Sequence, residues 1–287
     1  MIIDHSAVCH AVKFGFAKQG IDQIKDTPFI VYGYFLTFQY LIKNIQPKLI
    51  AFACDSKESK RKEIYPEYKD RDKNKTEENK QLDEIAYPQF NLLKEKVLPK
   101  IGYKNIFESK GLEADDIIAR ICKHYSNNEI VIVSRDNDLW QLLSDKVAMF
   151  DPSLKQWFTK GDLQKKWEVT PKEWGKIKRI VGCSGDNVQG IKGVAAKTAI
   201  KYLKGELSKT TKNGKPLKTY EAITSDEGKK IIKRNKKLVI LPFKNTPTYY
   251  LQDDYLSLEG FKKVIKKYKF KSIQKDIEYW KYVLRLK

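Results

Sequence analysis

The sequence predicts an α/β fold in which a parallel sheet carries helices on both faces and a helical region follows. Three observations predict it. Short apolar runs end repeatedly in a carboxylate, helical patterns separate those runs, and the strand signal fades after about Asp151. Ile2-Ile3 leads into Asp4, residues 49–54 lead into Asp55, and residues 130–133 lead through Ser134-Arg135 into Asp136. Runs this short, bounded by polar residues, read as buried parallel strands. Helical patterns at 29–45, after Pro28, and at 114–125 lie between them. Such alternation builds a sheet with helices on its faces, and ligands bind beyond the carboxyl ends of its strands. Asp4, Asp55 and Asp136 are therefore expected along one edge. Further strands near 105–107 and 147–150 complete the sheet.

Residues 56–101 form a long insertion. Its first part, 57–75, is dense in charge and carries Tyr65-Pro66-Glu67-Tyr68-Lys69. Its second part, 76–101, looks helical, with Pro88 expected to kink or interrupt it. A polar stretch of this length reads as a mobile functional loop or as a helical arch over the crevice.

Composition bounds the function. The chain has 287 residues, 41% of them apolar and 32% charged, enough for a packed core in one or two domains. The N-terminus lacks a basic stretch ahead of an apolar one, so no signal peptide is expected. No apolar run approaches the roughly 20 residues that span a bilayer. Cys9, Cys54, Cys122 and Cys183 are scattered with no C-x-x-C pair, so reduced thiols are expected and a zinc site is not. The net charge is +20, unevenly placed. Residues 1–150 hold 23 Lys+Arg against 22 Asp+Glu, whereas residues 151–287 hold 33 against 14. A basic half beside an acid-rich, nearly neutral half suggests that one grips a polyanion while the other works with carboxylates.

The acids form a constellation. Glu113-Ala114-Asp115-Asp116 opens a predicted helix, where the helix dipole offsets part of the repulsion. Asp136 and Asp138 follow a strand. Taken singly, these are ordinary helix starts and turns. Together with Asp4 and Asp55, they gather more like charge on one edge than can stay ionised without cations. Hard oxygen ligands suit Mg²⁺ or Mn²⁺, the usual equipment of phosphodiester hydrolysis.

In the basic half, residues 181–199 run Val-Gly-Cys-Ser-Gly-Asp-Asn-Val-Gln-Gly-Ile-Lys-Gly-Val-Ala-Ala-Lys-Thr-Ala between predicted helices at 171–181 and 195–204. From Lys176 to Lys237 there are 17 Lys+Arg against 5 acids. A Gly190-Ile191-Lys192-Gly193 hairpin, backbone N–H groups at the next helix start, and Lys192 and Lys197 read as a helix–hairpin–helix that holds a DNA backbone.

These pieces, in this order, resemble the 5′→3′ exonuclease and flap endonuclease family of the phage and bacterial type. That family includes the 5′-nuclease domain of bacterial DNA polymerase I and phage enzymes that remove RNA primers. The resemblance spans residues 1–245 and rests on Ile3-Asp4, Ala53-Cys54-Asp55, Pro66-Glu67-Tyr68-Lys69, Glu113–Asp116, Ser134–Asp138 and residues 182–199. It implies a PIN-like nuclease domain over 1–165 with the insertion as arch or gateway. A helix–three-turn–helix DNA-binding region over 166–245 and a basic C-terminal segment over 246–287 complete the layout. It implies a first metal ringed by Asp4, Asp55, Glu113 and Asp115 or Asp116, and a second held by Asp136, Asp138 and Asp186. It implies Arg61 and Lys69 at the scissile phosphate, Tyr68 stacked on a base, and a K⁺ at the Gly190–Gly193 hairpin. Lys192, Lys197 and Thr198 would meet DNA. Two departures stand out: Cys183 where many relatives have an Asp, and Ala195 where a Gly is frequent. The expected partners are DNA with 5′ ends, flaps or RNA primers, with a polymerase or single-strand-binding protein as candidate protein partners. A cytoplasmic monomer is expected. Two alternatives remain open: a non-catalytic DNA-junction-binding protein, and a PIN-type RNA endonuclease.

Overall fold

The structure is a computed structural model that describes residues 1–70, 75–211 and 213–287. Residues 71–74 of the insertion and Lys212 of the basic segment lie outside the described residues. A six-stranded sheet runs β3-β2-β1-β4-β5-β6. Its strands are β1 (Ile2–Asp4), β2 (Ala51–Cys54), β3 (Ile106–Glu108), β4 (Ile130–Val133), β5 (Val147–Asp151) and β6 (Gln156–Phe158). The first five are parallel, and only β6 runs antiparallel, against β5. Strand β1 lies in the middle, with Ile2 beside both Ala51 and Ile132. The chain leaves β1 to one side through β2 and returns to the other through β4. That reversal opens a crevice at their carboxyl ends.

Both faces are covered. One face packs helices His5–Ala17, Phe29–Ile45 and Glu77–Leu92 around Val8, Tyr34, Phe38, Phe52 and Phe90. The other packs Ala114–His124 and Pro171–Val181 around Ile117, Ile121, Ile132, Trp174 and Ile177. The Pro171–Val181 helix starts as its sequence dictates. Pro171 occupies the first turn, and the Thr170 side chain accepts from the Glu173 N–H while Glu173 reaches back.

Two parts differ from the sequence-based expectations. Residues 77–101 are helical as expected but pack into the core, with Tyr87, Asn91 and Lys94 lining a pocket beside Asp55. The helix Glu77–Leu92 passes through Pro88, widens into a π-helical turn at Leu93–Val97, and buries Leu82, Ala86, Phe90, Leu93 and Val97 in the core. That stripe follows helical spacing, so burial outweighs the charge density of the segment. Strand β6 is an addition: it is short, and its Trp157 is half exposed. The C-terminal segment packs back on the half that holds the sheet, where Phe261, Phe270 and Trp280 surround Phe35. Among the described residues no helix is long and apolar enough to cross a membrane.

Candidate metal and nucleic-acid site

A cleft of about 740 Å³ opens at the carboxyl ends of β1, β2 and β4, lined by Asp4, Asp55, Asp115, Asp136 and Asp186 together with Lys69. Each carboxylate is set by local structure. Asp4 ends β1 and caps the next helix, accepting from the Ala7 N–H at 3.0 Å, and the Ser134 hydroxyl donates to its other oxygen at 2.8 Å. Asp55 follows β2 and accepts from the Ala114 N–H at 3.0 Å. Asp115 lies in the first turn of Ala114–His124. Asp136 accepts from the Asp138 N–H at 2.8 Å, turning the chain into a short 3₁₀ helix, Asn137–Leu142. Two helix starts thus point positive dipole ends into the cleft and offset part of the carboxylate repulsion.

The remaining repulsion shows in the ionisation of these groups. Burial, then the charge of Asp55, pushes Asp4 up to about 7. Burial and the charge of Asp138 push Asp136 up to about 6. Burial, with Asp136 and Asp4 nearby, raises Asp115 well above the ordinary carboxylate range. Burial acts the same way on Asp55, but Lys69 and hydrogen bonds from Ser6 and Ala114 outweigh it and hold Asp55 below that range. A cleft whose own acids resist ionising together is chemically suited to cations that would share their oxygens.

Glu113, 5% exposed, lies just behind the cleft lining and is a hub of hydrogen bonds. Its Oε2 accepts from the Tyr68 hydroxyl at 2.9 Å and from Lys69 Nζ at 2.9 Å, and its Oε1 accepts from Ser59 at 2.9 Å. The Tyr68 hydroxyl also lies 3.3 Å from Asp186. Lys69 has a left-handed backbone, with φ 54°, and its N–H donates to the Asp186 carbonyl at 2.8 Å. Burial lowers the Lys69 ammonium, yet Glu113, Asp186, Asp55 and Asp115 more than offset that and raise it. Lys69 is therefore charged at any working pH and faces the cleft.

Three expected site residues are placed elsewhere. Arg61 is 1% exposed, and its guanidinium grips both oxygens of Asp116, at 2.6 and 2.8 Å, while Nε donates to the Leu238 carbonyl at 2.8 Å. Asp116 also accepts from the N–H groups of Phe243 and Glu113, at 2.7 and 3.2 Å. Its lone pairs are thus spent on the fold, and neither residue lines the cleft. Tyr68 is 2% exposed, so its ring is closed to a stacking base. What the sequence left unseen is that residues 65–70 dock on the Asp186 loop instead of standing free.

Asp138 and Asp186 come together with Cys183, their ligand atoms all within 4.8 Å of one another. Lys178 Nζ lies 2.5 Å from Asp138 Oδ1 and donates to Asn137 at 2.9 Å. Neither Lys178 nor Ser134 was singled out from sequence. The signal for Lys178 was available: a lysine one step past Ile177 and four past Trp174, on the apolar face of its helix.

The Gly190–Gly193 hairpin joins helices Pro171–Val181 and Ala196–Leu203. A Cβ on Gly190 would lie 2.2 Å from the Val181 backbone, so this glycine serves chain-to-chain contact. Gly193 has φ +78° with open space around it, so its freedom is conformational. Lys192 and Lys197 are exposed beside it, and Thr198 is half-buried. Arg234 and Asn235, on the packed helix Asp226–Val239, bind the Gln189 carbonyl at 2.6 and 3.0 Å and fix the hairpin from behind.

Comparison with known proteins places this geometry. The 5′-3′ exonuclease N-terminal resolvase-like domain matches residues 1–168. The chain is 34% identical over 191 residues to a 5′-3′ exonuclease of Aquifex aeolicus, a match covering 64% of this chain and 62% of that one. It is 31% identical over 209 residues to a 5′-3′ exonuclease of Buchnera aphidicola, covering 71% and 69%. Against the thermostable DNA polymerase I of Thermus thermophilus it is 31% identical over 204 residues, 69% of this chain but 23% of the polymerase. Among solved structures, T5 5′-exonuclease with bound zinc superposes with a TM-score of 0.67 at 27% identity, over 83% of this chain and 88% of that one. A bacteriophage T5 flap endonuclease in complex with DNA and metal ions gives a TM-score of 0.68 at 26% identity, with the same coverage. The fold alone is shared with a flap endonuclease of Methanococcus jannaschii, TM-score 0.61 at 13% identity over 99% and 92%. The matched domain spans more than half the length and supplies Asp4, Asp55, Asp115 and Asp136 of the acidic cleft, so the chain belongs to the 5′-3′ exonuclease family.

Proposed function

We propose that the chain is a structure-selective 5′ nuclease, acting as 5′→3′ exonuclease and flap endonuclease on DNA by two-metal-ion catalysis. Its task in this reading is to remove RNA primers or flaps during replication. The observation that carries it is the ring of Asp4, Asp55, Asp115 and Asp136 inside one cleft, where burial and neighbouring acids raise Asp4, Asp115 and Asp136 above the ordinary carboxylate range. Asp4, Asp55, Glu113 and Asp115 would hold one ion, Asp136, Asp138 and Asp186 the second, with Mg²⁺ preferred by the oxygen donors and Mn²⁺ as substitute. Bound divalent ions supply Lewis acidity, making water a better nucleophile and offsetting charge on phosphoryl oxygens.

The protein's own groups do the rest. Ser134 fixes the rotamer of Asp4. Glu113 and the Asp186 carbonyl hold Lys69 so that its ammonium meets charge developing on the phosphate. Gly193, Lys192, Lys197 and Thr198 would hold the duplex backbone as the helix–three-turn–helix, and a K⁺ among the hairpin carbonyls belongs to the same reading. The protein would work as a cytoplasmic monomer alongside a polymerase or single-strand-binding protein.

The test is cleavage of a labelled 5′-flap duplex and of single-stranded RNA, with and without Mg²⁺ or Mn²⁺. Cutting near the flap junction, only with metal, is expected. Tight binding without cutting would make it a junction-binding protein, and cutting of RNA alone would make it an RNA endonuclease. Affinity for DNA should fall steeply with salt, by about 0.9 in log K per log unit of salt for each phosphate neutralised. Lys192→Ala and Lys197→Ala should each lower that slope by about 1. An unchanged slope would remove the hairpin from the interface.

A further inference from the structure

We infer that the second cation position is a mixed sulfur–oxygen site, with the Cys183 thiolate as ligand, and that it selects a thiophilic divalent ion such as Zn²⁺ or Co²⁺ over Mg²⁺. The inference rests on reading the cleft as a divalent-metal site, and it revises the preference for Mg²⁺ to the first position alone.

Three observations converge. The Cys183 sulfur and one oxygen each of Asp138 and Asp186 lie within 4.8 Å of one another, close enough for all three to reach one ion. Asp138 is 5% exposed, with its Oδ1 2.5 Å from Lys178 Nζ, and it also takes a hydrogen bond from the Cys183 thiol, so sulfur and carboxylate already meet at this point. Cys183 is also the cysteine the fold does not hide. Cys9, Cys54 and Cys122 are buried, whereas Cys183 is half-buried on the cleft wall.

Chemistry then decides the ion. Mg²⁺ demands near-octahedral oxygen ligation and gives up its waters reluctantly. With Cys183 standing beside Asp136, Asp138 and Asp186 where a further carboxylate would suit it, the set is short of hard oxygen, and Asp138 is already countered by the Lys178 ammonium. A borderline-soft ion bonds the thiolate directly, and three protein ligands plus solvent is the ordinary equipment of an open zinc site. As the S–metal bond forms, the thiol releases its proton to solvent and no electrons change hands. The neighbouring position, built from Asp4, Asp55, Glu113 and Asp115, has oxygen donors only and keeps its preference for hard ions.

The experiment is titration of the whole chain with Co²⁺, followed by absorption and calorimetry, for wild type, Cys183→Ser and Cys183→Asp. Circular dichroism checks that each variant is folded. Wild type should develop the near-ultraviolet thiolate-to-cobalt charge-transfer band, and both variants should lose it. Cys183→Ser should weaken Zn²⁺ at this position by at least the roughly 10–100-fold that losing a supporting partner costs a metal site. Cys183→Asp should bind Mn²⁺ more tightly than wild type. Co²⁺ binding without the band, or a band that survives in Cys183→Ser, would overturn the sulfur ligand while leaving the nuclease reading intact. Absence of any Co²⁺ binding by calorimetry would overturn both.

Discussion

Asp4→Asn should leave the metal-free protein more stable at pH 8 while all but abolishing cleavage. Asp4 is 7% exposed, and burial beside Asp55 moves its carboxyl from an ordinary 3.8 to about 7. A carboxyl raised in the folded state favours folding while protonated, and that contribution is lost as pH climbs from 3.8 through about 7. Above that window the fold carries a buried, crowded charge that the unfolded chain does not. At about 1.4 kcal/mol for each pKa unit, the charge costs on the order of a few kcal/mol. Asparagine keeps an oxygen for the Ala7 N–H and never ionises. It should recover most of that cost at pH 8 and almost none at pH 4. The same change removes a ligand oxygen, and several kcal/mol of charge stabilisation corresponds to roughly a thousandfold in turnover. Denaturant midpoints at the two pH values without metal, set beside flap cleavage with Mg²⁺, measure both arms. A variant less stable than wild type at pH 8, or one that still cuts at full rate, would show that Asp4 is a structural cap. By the same linkage, divalent ions should raise the wild-type midpoint at pH 8 far more than at pH 5.

Arg61→Ala and Lys69→Ala should fail in opposite ways, although the two cations sit eight residues apart in one segment. Removing the Arg61 guanidinium strands the Asp116 carboxylate, fully buried, with two backbone N–H donors and no counter-charge. Breaking a buried pair from one side costs roughly 3–5 kcal/mol, so the variant should unfold at much lower denaturant. Asp116→Asn with Arg61 retained should lose a comparable amount. Lys69 is one-third exposed, and Glu113 keeps the Tyr68 and Ser59 hydroxyls without it. Its loss should leave stability within about 1 kcal/mol, with turnover down roughly 10²–10³-fold and DNA binding only mildly weaker. If Arg61→Ala were stable but inert, Arg61 would belong at the phosphate after all.

Much of this was legible before the structure. Three apolar runs with acids at their ends located the central strands and the shared edge of their acids, because buried parallel strands tolerate polar residues only where they emerge. Thr170-Pro171 set the start of one helix through capping that needs nothing distant. What stayed hidden depends on contacts between remote segments. Glu113, Asp115 and Asp116 form one acidic run, and no local signal says which of them faces solvent and which meets an arginine 55 positions back. Successive helical positions diverge by about 100°, so Asp115 turns to the cleft and Asp116 away from it. Tyr68 reads as an exposed aromatic until Asp186, 118 positions later, folds over it. The insertion was misjudged for a different reason. Its charge drew more weight than Leu82, Ala86, Phe90, Leu93 and Val97, whose spacing already described a buried face.

The Arg61–Asp116 pair also bears on modularity. Besides the Glu113 N–H, it is held by the Leu238 carbonyl and the Phe243 N–H, both well past residue 168, where the match to the family's N-terminal domain ends. Phe35, in the heart of that domain, is roofed by Phe261, Phe270 and Trp280. The matched domain is therefore not a self-sufficient folding unit. Excised at that boundary, it would expose aromatic core and strip two partners from a buried ion pair. The smallest piece that keeps its core closed is the acidic cleft together with the chain that returns to cover it.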